Sequence, residues 1–355
     1  MDNLISGILM ASPTGLWERI IMGLESGIGI FSLSIIILTV IIKLIMSPID
    51  FFNKRTNKKM SMMQAKIQPQ IDAIQKKYAG DDKLKNQKLG ELYQREKINP
   101  MGSCLIMLLN LGLTLAIFIT LLNGMNTMAS YKIASQYEQL QIAYVQEYAG
   151  ESFDPYQGDK SVYENCLPYI EQIKNESDEV KLVANENVAK KYNETKESFL
   201  WVENIWMADS PFKNSIPNYS EYASVAKLSK EDASNEKYKE VYDQIMTPLR
   251  ESSGRTNGYF ILAVICAAVT FLNQWLITRK NQGANQKGPA KWGMTIFMTL
   301  FMAFFTILYT TMFSLYMITS QIVSLATTPI IDAINNAIDK SQEKKKIPTD
   351  RLKRI

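Results

Sequence analysis

The chain has 355 residues, 46% of them apolar and 21% charged, and its 39 basic against 35 acidic side chains leave a formal charge of +4. It has no histidine, which removes the commonest general base and metal ligand, and its three cysteines fall in no disulfide or zinc spacing. No glycine loop ends in Lys-Ser or Lys-Thr to cradle phosphates, so neither a nucleotide-driven machine nor a metal or redox enzyme is indicated, and no cofactor is expected.

The apolar residues are gathered into blocks. No lysine or arginine precedes Arg19, so residues 1–27 lack the basic start of a cleaved signal. Leu16, Ile20 and Leu24, with Trp17 and Ile21 beside them, instead predict a short amphipathic helix lying in the membrane interface, with a frayed tail as the alternative. Residues 28–48 form a first block long enough to cross a hydrocarbon core of roughly 30 Å, and it contains Lys43. Residues 49–102 are rich in helix formers and broken at Gly80 to Asp82, which predicts a helical hairpin. Its first arm carries an apolar stripe of Met60, Met63, Ile67, Ile71 and Ile74, and its second arm one of Leu84, Leu89 and Leu92. The stripes either pack on each other or offer a methionine-bearing surface to unfolded apolar chains.

A second span is expected at 103–123, then a long loop at 124–257, a third span at 258–277 and a short loop at 278–292. The block from Gly293 to Ile331 would make a helix of about 58 Å, too long for one crossing, so it is divided near Tyr309 to Thr311 into spans at 293–309 and 310–331; the turn holds neither Gly nor Pro, so a single long, protruding helix is the alternative. The chain closes on a basic tail, 332–355. Basic residues resist translocation: 49–102 hold 12 bases and 6 acids, 278–292 hold 4 and 0, and 332–355 hold 7 and 4, whereas 123–257 hold 14 and 22. The acidic loop and the N-terminus are therefore expected outside, and the hairpin and C-terminus in the cytoplasm.

Lys43 is the anomaly. Ser32, Thr39 and Lys43 lie within about 40° of one another around a helix, so one face of the first span is polar. Polar groups recur at Ser103, Asn110 and Thr114, at Thr270, Asn273 and Gln274, and at Ser314 and Gln321. No Asp or Glu lies in any expected span, so Lys43 either faces water in a recess among the spans or snorkels about 7 Å to the headgroups near Pro48.

The order "SIIILTVIIKLIMSPI", "KIQPQIDAIQKKY", "INPMGSCLIMLLN", "FLWVENIWMADSP" and "FSLYMITSQIVS" resembles the YidC/Oxa/Alb membrane protein insertases over roughly residues 28–123, 199–211 and 258–328. The resemblance implies an all-α polytopic membrane protein of five transmembrane helices around a hydrophilic groove, open to the cytoplasm and to lipid and closed to the outside. It further implies that Lys43 matches the groove cation, usually arginine in that family, that Thr39 matches the hydroxyl one turn earlier, and that Tyr316 matches an aromatic position thought to contact substrate. Asn110 falls where the family usually has glutamine. The substrate-facing set is thus Lys43, Thr39, Ser32, Asn110, Thr114, Gln274, Ser314, Tyr316 and Gln321, with no catalytic residue and no small-molecule substrate.

Implied partners are nascent membrane proteins, membrane lipids, the Sec translocon and the ribosome, at a bacterial cell membrane. A channel or secondary transporter using the polar stripes is the alternative. This sequence departs from the family in having Ile106, Gly112 and Thr310-Thr311 at positions usually Pro or Pro-Gly, and in the length of the 124–257 loop. Within that loop, 199–211 is expected to lie on the outer membrane surface as an aromatic belt, and the rest to form a small, mostly helical cap or flexible spacing.

Overall fold

The computed structural model describes residues 13–96, 100–280 and 289–346 and, within them, all side chains except those at 60, 61, 64, 65, 100–107, 110, 111, 278, 280, 289–291, 294 and 343–346. The expectations for Met60, Ser103 and Asn110, for most of the 278–292 loop and for the end of the tail lie outside the described residues. Among the described residues the chain is helical, and its only β features are two isolated bridges. Three helices contain stretches long and apolar enough to cross a bilayer, at Phe31–Lys59, Gly112–Ala149 and Thr311–Gln342, and shorter apolar helices lie at Ile261–Ile277 and Thr295–Leu308.

After α1 (Leu16–Ile28), two helices run far past the expected span ends. α2 (Phe31–Lys77) has 47 residues, about 70 Å, and joins the first apolar block to the first hairpin arm without a break. The expected boundary at Pro48 is therefore not a helix end. Proline removes one hydrogen bond from the ladder, a local loss that does not end the helix here. Beyond α3 (Asp82–Arg95), α4 (Pro100–Ala149) has 50 residues, about 75 Å, and passes through the expected second span into the acidic insert.

The remaining helices are α5 (Val162–Lys174), α6 (Asp178–Thr195), α7 (Tyr219–Ala226), α8 (Lys230–Ala233), α9 (Glu236–Ser253), α10 (Ile261–Lys280), α11 (Pro289–Leu308) and α12 (Thr311–Lys346). The block at 293–331 is thus two helices parted at Tyr309 and Thr310. Two compact units emerge, one from Met1–Leu38, Thr120–Ala267 and Phe301–Ile318, the other from Thr39–Ile119, Ala268–Leu300 and Thr319–Ile355.

In the first unit the insert is a folded helical cap rather than flexible spacing. Its helices start where the sequence supplies acceptors for orphan amides: Ser161 and Asn218 head capping boxes with Glu164 and Glu221, and Ser177, Ser229 and Asn235 cap α6, α8 and α9. α9 packs on α5, α6 and α7, and its Gln244 Nε2 donates to Tyr144 Oη at 3.1 Å on α4 and to the Ile170 carbonyl at 2.9 Å on α5. The core is aromatic. Tyr137, Tyr222, Tyr238 and Tyr242 are fully buried, Tyr222 stacks on Tyr242 at 4.7 Å, and the Tyr222 and Tyr238 hydroxyls meet at 3.2 Å. Each phenol brings a large apolar ring and a polar tip that needs a partner; Tyr242 and Tyr219 find theirs in the carbonyls of Pro217 and Asp232, both at 2.9 Å.

α1 packs on the same unit through Trp17, whose Cβ lies so close to Gly124 that any side chain there would collide with it. Glu25 of α1 pairs with Lys132 of α4, and the Lys132 ammonium sits 5.6 Å over the Phe31 ring.

In the second unit the distal part of α2 and α3 form the hairpin, α3 beginning at Asp81, whose carboxylate accepts from the Leu84 amide at 2.9 Å. Ile67, Ile71 and Leu92 form its buried core with Met63, Ile74, Leu89 and Tyr93 against them, so the two stripes pack on each other. Nearer the apolar block, α2 is tied to α12 by polar contacts. Lys54 Nζ donates to the Thr328 carbonyl at 3.2 Å and lies 3.6 Å from Asp332, and Lys58 Nζ contacts Asn336 at 2.9 Å and Asp339 at 2.6 Å.

Candidate functional site

The helical period of α2 places Thr39 and Lys43 one turn apart on one face. Thr39 is buried and Lys43 half-buried, while Ile41, Leu44 and Ile45 on the other faces are exposed, Ile45 at 72%. An apolar side chain left bare on a membrane-length helix suits lipid, and the face bearing the cation is the one turned inward. The second unit also holds Thr114, exposed, and Gln274 and Gln321, half-buried; Gln321 accepts from Asn273 Nδ2 at 2.8 Å, which joins the polar groups of α10 and α12. Beside them Thr270 Oγ1 is buried and has no hydrogen-bond partner among the described residues.

Three of the predicted residues lie in the first unit. Ser32 and Ser314 are buried and Tyr316 is half-buried. Ser314 Oγ donates to the Thr306 carbonyl at 3.2 Å, an acceptor at the end of α11, and lies 3.4 Å from the Thr310 carbonyl, which already accepts from the Ser314 amide, so this hydroxyl serves the turn between α11 and α12. Asn110 falls on α4 with its side chain outside the described residues.

The 199–211 segment, expected on the membrane surface, packs most of its side chains inside the first unit. Val202, Ile205, Trp206 and Asp209 are buried, Trp206 at 2% exposure, and only residues such as Leu200 and, just beyond, Phe212 remain open, at 75% and 87%. The physical cause is a knot of backbone-directed amides and carboxylate. Asn257 Oδ1 accepts from the Asn204 amide at 2.8 Å, while its Nδ2 donates to the carbonyls of Asn204 at 3.0 Å and Ala208 at 2.9 Å. Asn204 Nδ2 in turn donates to the Ser215 carbonyl at 2.8 Å.

Asp209 accepts from the amides of Tyr259 at 2.8 Å and Leu262 at 2.7 Å, closing the start of α10, and a Cβ at Gly258 would overlap its carboxylate. The carbonyls of Met207 and Ile205 accept from the Thr311 and Met312 amides at 2.9 and 3.2 Å, which satisfies the first amides of α12. Trp206 meets Phe31, the first residue of α2, edge to face at 4.7 Å. One irregular segment thus anchors the starts of α2, α10 and α12. The aromatic motif was visible in the sequence, but Asn257 and Gly258 carried no signal there.

Asp50 is a third residue without a signal in the sequence, because it lies two residues beyond the expected end of the first span. On the unbroken α2 it is half-buried and within Coulombic range of Lys43.

Comparison with known proteins places these features in context. The model of the family described as 60Kd inner membrane protein matches residues 23–339, most of the chain. A protein of Fusobacterium nucleatum named membrane protein insertase YidC is 39% identical over 97 residues, which is 27% of this chain and 45% of that protein. Proteins of the same name from Oleidesulfovibrio alaskensis and Maricaulis maris are each 37% identical, over 114 and 101 residues, covering 31% and 28% of this chain but 20% and 16% of theirs. The matched stretch is therefore less than half the length of each of these relatives.

Proposed function

The chain belongs to the 60Kd inner membrane protein family, and from that premise we propose that it is a bacterial membrane protein insertase and folding chaperone. The observation that carries the reading is Lys43, a half-buried cation one turn from buried Thr39 on a helix that leaves Ile41, Leu44 and Ile45 bare. In this reading five spans enclose a groove open to the cytoplasm, with the N-terminus and the cap outside and the basic hairpin and tail inside. Thr39, Asn110, Thr114, Gln274 and Gln321 keep the groove wet around Lys43, and Tyr316 gives the arriving chain an aromatic surface. The clients are nascent membrane proteins delivered alone, by the ribosome or beside the Sec translocon. None of the observations favours the channel or transporter alternative.

The work is done without a covalent step. A hydrophilic segment of the client, acidic in the best case, exchanges part of its bulk hydration for groove water and the fixed ammonium, which lowers the barrier to crossing. At about 6 Å and an effective dielectric of about 20, one such charge pair is worth about 3 kcal/mol before screening. The neighbouring apolar segment partitions into lipid, and at about 25 cal/mol per Å² of apolar surface removed from water this step drives the process.

Replacement in cells depleted of the native protein tests the reading. Lys43→Glu is expected to lower insertion of clients with acidic translocated segments about tenfold or more, and Lys43→Arg to support it, since the charge is kept. Full activity of Lys43→Glu on such clients would overturn the role given to this side chain.

A further inference from the structure

Lys43 and Asp50 stand seven residues apart on one unbroken helix, 20° short of two full turns and about 10.5 Å along the axis. They share a face and both are half-buried; the tilt of helical side chains toward the N-terminus brings the Asp50 carboxylate toward Lys43, and the long Lys43 stem folds back toward it. Lys43 and Asp50 carry opposite charges without closing to a direct ion pair, and Lys54 stands one turn beyond Asp50. Lys54 already holds the Thr328 carbonyl and Asp332. Asp50 therefore lies between a lysine committed to α12 and a lysine turned toward the polar face.

We propose that Asp50 is the resident counter-ion of Lys43 and that an acidic client segment enters by displacing it, which makes Asp50 a determinant of client charge specificity. The inference rests on the reading of Lys43 as the client-facing cation. While no client is present, Asp50 offers the half-buried ammonium a compensating charge from the same helix, alongside the groove water. A client carboxylate must then offer Lys43 more than Asp50 does, whereas a neutral segment gains nothing from the exchange. Asp50 thus sets a threshold: weakly acidic segments are held off and strongly acidic ones admitted.

A double-mutant cycle on the full-length protein in proteoliposomes tests this. The probes are two versions of one single-span client, with Asp and Glu or with Asn and Gln in the translocated segment, and the readout is the initial insertion rate at limiting client. Asp50→Asn is expected to raise the rate for the acidic client about fivefold and leave the neutral client unchanged, with the gain clearly smaller in a Lys43→Gln background. Asp50→Glu is expected to keep wild-type selectivity, which separates the effect from any loss of fold around Lys54. An equal gain in both backgrounds, or none, with Lys43→Gln still slowing the acidic client, would overturn the counter-ion role and leave the groove reading standing. An acidic client indifferent to Lys43→Gln would overturn the groove charge, and the counter-ion with it.

Discussion

Glu138 shows what the cap does to a carboxylate. Its Oε1 is buried with no hydrogen-bond partner among the described residues, and burial pushes its carboxyl up to about 7, with Tyr156, Cys166 and Tyr222 as the titratable neighbours on which it acts. Because the folded value lies above the ordinary one of 4.5, the folded cap binds more protons than the unfolded chain between those values. Stability contributed by the neutral carboxyl is therefore lost as pH rises from about 4.5 through about 7, and the destabilisation is complete above that. The shift sets a ceiling of about 3 kcal/mol, which solvent screening of this partly exposed group reduces to roughly 1–2 kcal/mol. Thermal unfolding of the cap followed by tyrosine absorbance is expected to shift several degrees lower at pH 8 than at pH 5, and Glu138→Gln to flatten that dependence. An unchanged pH profile in Glu138→Gln would refute the assignment. The same burial pushes the Cys166 thiol up to about 12, consistent with a packing role rather than a reactive one.

The elements that position the candidate site are held by side chain to backbone bonds more than by burial alone. Asp209 closes α10 with two short bonds, so Asp209→Ala leaves the Tyr259 and Leu262 amides without acceptors and is expected to cost about 2–4 kcal/mol. Asp209→Asn, which retains one acceptor oxygen, is expected to cost about half as much; detergent-phase thermal unfolding ranks the three proteins, and equal midpoints would contradict the capping role. How much of this was legible varies by element. The hairpin stripes of Ile67, Ile71 and Leu92 were plain from their spacing, but spacing alone does not say what a stripe packs against. Pro48 reads as a stop because proline breaks the ladder, yet α2 passes through it, and α4 continues past Asn123 because no proline falls between there and Ala149. The aromatic segment around Trp206 reads as a membrane belt by composition; its burial depends on Asn257, some fifty residues on, and long-range amide pairing leaves no local periodicity to read.

Across the chain, the lopsided distribution of lysine and arginine, the apolar blocks and the folded acidic insert fit the proposed arrangement. In it, polar work is done on the basic side of the membrane. The polar face of α2 was readable from Ser32, Thr39 and Lys43, whereas the partition of those residues between two compact units was not, since it depends on contacts made by distant helices. The central claim is that Lys43 faces water continuous with the cytoplasm. Lys43→Cys, in a chain whose Cys104, Cys166 and Cys266 are replaced by serine, can be challenged with a charged, membrane-impermeant thiol reagent in vesicles of both orientations, with Ile45→Cys as the lipid-facing control. The account predicts labelling of Lys43→Cys in inside-out vesicles, none in right-side-out vesicles, and none of Ile45→Cys in either. A Lys43→Cys that stays unlabelled in both orientations yet reacts once denatured would contradict it.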